Sequence, residues 1–198
     1  MFGTADRGHR SVVRVDVAVA ERLARGLLEP LGNRWLHVQA VAARAAEVGG
    51  AVGPEERDLL VAAAWLHDIG YAPSVALLRF HPVDGARFLE GQGAAARLCA
   101  LVAHHSCARV EAEERGLSDE LAAWPLESSP VMDALCTADM TTGPAGQRFT
   151  FDERVAEIFS RYGDGSIVQR SIARSRPLLA DSIDRTYARL GHGANQPM

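Results

Sequence analysis

The sequence predicts an all-α domain. Three observations carry that expectation. Apolar residues recur three and four apart through most of the chain, Pro and Gly interrupt these recurrences at helix-length intervals, and no run alternates as a half-buried strand would. With 198 residues the chain fits one domain with a sizeable core and leaves little length for a second. The expected organisation is a loose arm over residues 1–15, one helical domain over 16–190 and a frayed tail over 191–198.

The first helix is expected from Asp16 to Leu31, through Val19, Leu23, Leu27 and Leu28, with Pro30 and Gly32 ending it. Asn33 is placed to cap a second helix that runs through Val38 and Val41 to Val48 and closes at Gly49-Gly50. Gly53-Pro54-Glu55-Glu56 opens a third, which ends at Gly70. After a loop over Tyr71 to Phe80, His81-Pro82 starts a fourth helix that ends near Gly91. An Ala-rich fifth helix spans Ala94 to His105, and a charged stretch, Arg109 to Gly116, continues it or forms a solvated helix. Residues 117–130 read as a short helix plus loop; Ser129-Pro130 then caps a helix over Val131 to Thr141, broken by Gly143-Pro144-Ala145-Gly146. Two more helices are expected, about Asp152 to Tyr162 and Ile167 to Leu190.

Composition narrows the function. Apolar residues at 47% and charged residues at 23% suit a soluble globular protein rather than a disordered chain. A net charge of -4 gives no electrostatic reason to bind bulk nucleic acid or a membrane surface. All 21 basic residues are Arg, which excludes any lysine-based mechanism. Cys99, Cys107 and Cys136 are scattered, with no CxxC spacing, and read as small buried hydrophobes in a reducing compartment. No signal core and no run of roughly 18 apolar residues is present, so a cytoplasmic location is expected. A homo-oligomer stays open, with the Ile167–Leu190 helix available for an interface.

The stretch Leu66-His67-Asp68-Ile69-Gly70-Tyr71 sets the chemistry. Adjacent His and Asp at the buried end of an apolar helix need hydrogen bonds, charge partners or a metal ion. Further candidates lie at helix ends or on faces that also carry small apolar residues: His37, His81, His104, His105 and Asp139. Imidazole and carboxylate without thiolate suit iron, manganese, zinc or nickel. Six ligands exceed what one tetrahedral ion needs, so two divalent ions are expected, with Asp68 as the natural bridge. Asp133 is the competing carboxylate beside Asp139, but it falls in a first helical turn, where an acid complements the helix dipole. His9 and His192 lie in the chain ends and carry no expectation.

The order His37, His67-Asp68, His81, His104, Asp139 resembles the HD-domain superfamily of metal-dependent phosphohydrolases, and His67-Asp68-Ile69-Gly70 resembles its HDIG subgroup. The resemblance covers about Arg34 to Asp139. It implies a single helical bundle with a two-metal site in its core. His37, His67, Asp68 and Asp139 would hold one ion; Asp68, His81 and His104 the second. His105 is either the alternative ligand to His104 or a contact to phosphate or a proton donor. Arg34, one turn before His37, is similar to an Arg of many members and could clamp phosphate in two-point fashion. Tyr71 departs from the pattern, since many members have Lys there, and this leaves the substrate open.

The function implied is hydrolysis of a phosphoester, from a nucleotide or another small phosphorylated substrate. Two ions about 3.5–4 Å apart would hold a bridging hydroxide for in-line attack. Two alternatives share the ligand order: a mixed-valent di-iron oxygenase of the same superfamily, and a catalytically silent metal-binding regulatory module.

Overall fold

The computed structural model describes residues 16–191; the expected arm, nearly all of the tail, His9 and His192 lie outside the described residues. The helices are α1 (Val17–Leu28), α2 (Asn33–Glu47), α3 (Arg57–Leu66), α4 (His81–Gly91), α5 (Ala96–His104), α6 (Ala108–Arg115), α7 (Ser118–Leu121), α8 (Pro130–Met140), α9 (Phe151–Arg161) and α10 (Ile167–Arg189). Among the described residues there is no strand, only an isolated bridge between Thr142 and Arg148. The all-α expectation is met.

Local chemistry explains the boundaries. The Asp16 carboxylate accepts the N–H groups of Ala18 and Val19 and starts α1. Pro30 sits in a short 3-10 turn after α1, and Gly32, at φ +55°, turns the chain into α2. Asn33 is therefore the first residue of α2 and not its cap; Gly32 holds that place without a side-chain bond. Ser129 caps α8 through Met132 N–H, with Pro130 at the first position. Thr150 and Glu153 form a reciprocal capping box on α9.

Two apolar clusters hold the bundle. The larger joins α1 to α5 with the first half of α8, through Leu28, Val41, Leu60, Leu66, Leu101 and Leu135. The smaller joins the end of α8 to α9 and α10 through Cys136, Met140, Val155, Ile158, Leu179 and Ile183. Each fully buried Leu or Ile contributes about 1.5–3 kcal/mol, against about 0–1 kcal/mol for an exposed ion pair, so packing rather than surface charge sets the stability. Ala62, Ala63, Ala64, Ala134 and Ala138 are all fully buried and let α3 and α8 run close to α2. α8 thus belongs to both clusters, and its C-terminal end lies where they meet. No helix among the described residues is long and apolar enough to cross a membrane. All three cysteines are free; Cys99 and Cys136 are buried as expected, whereas Cys107 is only half-buried.

Candidate metal centre

Five segments converge on one buried point. α2 supplies His37, the end of α3 supplies His67 and Asp68, α4 begins on His81, the turn after α5 supplies His105, and α8 supplies Asp139 near its last turn. The ligand-capable atoms of His37, His67 and Asp139 lie within 4.8 Å of one another, and so do those of Asp68, His81 and His105. Asp68 faces both groups. Its Oδ2 lies 3.7 Å from His37 Nε2 and 3.4 Å from His67 Nε2, while Oδ1 lies 3.3 Å from His81 Nε2.

The backbone fixes these positions. After α3 a 3-10 turn over Ile69–Tyr71 carries the chain away, and Gly70 packs directly on the start of α4: a Cβ there would fall 2.1 Å from the His81 carbonyl oxygen. The buried Asp84 carboxylate accepts Leu78 N–H at 2.9 Å and Phe80 N–H at 3.3 Å, which ties the end of the loop to α4 and holds His81 in place.

His104 is corrected by this geometry. It ends α5 and its Nε2 lies 2.8 Å from the Trp124 carbonyl oxygen, away from the cluster, while His105 takes the place expected of it. The cause is a change of backbone direction. His105 leaves the helix at ψ 150°, and Ser106 and Cys107 follow at φ 47° and 58°, the left-handed region. Two consecutive non-glycine residues there cost of order 1–3 kcal/mol each. Ser106 returns part of that cost by donating its hydroxyl hydrogen bond to Asp139 Oδ2.

The family model of the HD domain matches residues 34–136, more than half of the chain. The chain belongs to the HD domain family. No curated protein and no solved structure matches it. The matched segment of the HD domain contains every residue of the two clusters except Asp139, which follows three residues beyond it. The family is of the metal-dependent hydrolase type.

The hydrogen bonds around the HD-domain histidines suit metal ligation. Nδ1 of His37 faces the Gly143 carbonyl oxygen at 3.0 Å, that of His67 the Ala64 oxygen at 2.8 Å, and that of His105 the Val102 oxygen at 2.7 Å. A carbonyl only accepts, so each Nδ1 carries a proton and each ring is held with its Nε2 toward the centre. His67 Nε2 is buried without any hydrogen-bond partner. His81 and His105 place their Nε2 atoms 3.1 Å apart, a spacing that needs a shared proton or a cation between or beside them. The nitrogen and oxygen donor set, the orphaned Nε2 and the absence of a cysteine from both groups fit divalent transition ions.

Electrostatics agree. Burial opposes charge on His67, but Asp68 and Asp139 outweigh it and push the imidazole up to about 9. Burial works against the Asp68 carboxylate too, yet Arg34 and His67 hold it well below the usual range. Asp139 is likewise held down against burial by His37 and His67. Burial drives His81 well below its ordinary value, and burial with the neighbouring His67 lowers His105. The centre is therefore a pair of buried carboxylates that draws positive charge toward its imidazoles.

Arg34 donates to Asp68 Oδ2 and lies over the Tyr71 ring at 4.0 Å, and Tyr71 stacks on His81 with centroids 4.1 Å apart. Tyr71, where Lys was the expectation from the family, thus props both Arg34 and His81 at the mouth of a cleft. Sequence reasoning missed Ser106, Gly143, Arg154 and Tyr162; the first two bond cluster residues and the last two line the cleft. Only Ser106, directly after the His pair, carried even a positional hint.

Proposed function

We propose that this HD domain is a metal-dependent phosphohydrolase acting on a phosphoester of a small molecule. The observation that carries the proposal is Asp68, whose two oxygens face two separate groups of ligand-capable atoms. His37, His67 and Asp139 would hold one divalent ion, His81 and His105 a second, with Asp68 shared between them. Such ions supply Lewis acidity toward a phosphoryl oxygen and lower the pKa of bound water toward neutrality.

The chain's own groups do the rest. The main-chain carbonyls of Gly143, Ala64 and Val102 hold three rings with Nε2 inward, so ligand orientation is set before anything binds. Ser106 holds one oxygen of Asp139 and leaves Oδ1 to face His37 at 3.1 Å. Arg34 spends one N–H on Asp68, and its side chain stays 23% exposed at the cleft, where its remaining donors can meet phosphoryl oxygens. Tyr71 holds that guanidinium over its ring instead of supplying a charge of its own, as a Lys there would.

The test combines metal content with turnover. Protein purified without chelator is expected to carry up to two transition ions per chain and, loaded with manganese, iron, cobalt or nickel, to release phosphate from a panel of phosphomonoesters, diesters and nucleotides. Asp68→Ala and His67→Ala should each abolish release. Two irons with oxygen uptake and no phosphate release would replace this reading by the oxygenase one, and bound ions with neither would leave a silent module.

A further inference from the structure

Part of the lining of the cleft comes from α9, outside the matched family segment. Arg154 is 6% exposed, lines the cleft with Asp139, and has a buried Nε that meets no acceptor. Its carboxylate partner among the described residues is Glu157, which also binds Arg161 at 2.8 Å. Two guanidiniums thus share one carboxylate on this helix. A buried, under-neutralised Arg with spare donors is costly unless an anion completes it. Ile158 and Ile172 line the same cleft and give it an apolar surface.

We infer that Arg154, with Arg161, forms an anion subsite on α9 that binds phosphoryl oxygens of the substrate from the side opposite Arg34, with the organic group against Ile158 and Ile172. This rests on the phosphohydrolase reading for the identity of the anion, but not for the existence of the subsite. Glu157 sets its strength, because it competes with the incoming anion for both guanidiniums. Placed on α9, the subsite presents charge from two walls of one cleft, which suits a compact tetrahedral dianion better than a single carboxylate.

The probe is inorganic phosphate, titrated by calorimetry into the full chain loaded with manganese. Arg154→Gln should weaken phosphate binding by about tenfold or more, the loss expected for a charge-assisted contact, while Arg154→Lys weakens it less. Glu157→Gln should tighten it. Circular dichroism melts report folding of each variant; if Arg154→Gln does not fold, Glu157→Gln decides. Phosphate affinity unchanged in folded Arg154→Gln, not increased in Glu157→Gln, or absent from the wild-type protein would overturn the subsite. Phosphate binding that depends on Arg154 in a protein that turns over no phosphoester would keep the subsite and remove the proposed reaction. Turnover with Arg154-independent phosphate binding would do the reverse.

Discussion

At the end of α5 two adjacent histidines serve different ends, because the backbone changes direction between them. His104 still belongs to the helix and spends its Nε2 on Trp124; His105 sits beyond it, donates Nδ1–H to Val102 and presents Nε2 to Asp68 and His81. Truncating each one separates the roles. His105→Ala is expected to lower metal affinity by more than about tenfold, since it deletes a proposed ligand and not merely a neighbour of one. His104→Ala should leave metal affinity within a few fold and cost about 0.5–1.5 kcal/mol of stability, the net worth of one hydrogen bond. Metal titration and urea melts on the two variants check this, and equal metal affinities would sink it. The wrong choice of His104 has a physical origin. Residues 98–104 are all buried, so no amphipathic period marks which face of α5 looks at the centre. The deciding feature is a pair of left-handed residues, Ser106 and Cys107, and neither residue type announces that conformation.

On the scale of elements, α8 is held at both ends by polar contacts of opposite purpose. Its last turn offers Asp139 to the centre, while Asp133, near its start, is clamped by Arg185 at 2.6 Å and Arg189 at 2.8 Å from α10. Asp133 does lie in the first turn of α8, where the sequence puts it, but its two arginine partners lie more than fifty positions away and no local pattern could reveal them. Burial raises the Asp133 carboxyl, and the bonds from Arg185 and Arg189 more than offset this, so its folded pKa lies below its ordinary value. The folded state therefore binds fewer protons here than the unfolded state. The stabilisation is complete above the unfolded carboxyl value of about 3.9 and is lost as pH falls through the folded value. Asp133→Asn should be less stable than wild type by about 1–3 kcal/mol at neutral pH, with the gap closing below about pH 4. Urea midpoints measured across that range test it; a gap independent of pH would refute it. Helix boundaries, by contrast, were legible almost throughout, because Pro30, Pro54, Pro82 and Pro130 start or end segments by covalent geometry alone.

For the whole molecule, the centre lies where two apolar clusters meet on α8, so the bundle must close before the ligands assemble. His37 and Asp139 are 102 positions apart, and His81 starts α4 whereas His105 sits in the turn after α5. The ordered spacing of His and Asp made the centre readable in the sequence, but the α9 wall was not. Arg154, Glu157 and Arg161 read as an ordinary helical ion-pair ladder until the fold sets α9 over the cleft. Because the unfolded chain holds no such constellation, metal binding must stabilise the fold by mass action. At a free metal concentration of 100 times the dissociation constant the gain is about 2.7 kcal/mol. For a chain of this length that corresponds to a rise in Tm of about 5–11 °C. Chelator should remove the rise. His67→Ala, whatever its own Tm, should show none of it, because the variant loses a proposed ligand of the buried group while the apolar clusters stay complete. A chelator-insensitive Tm in the wild-type protein would mean that the buried carboxylates are satisfied by Arg34 and the histidines alone, and the two-group centre would then be a structural ion-pair network.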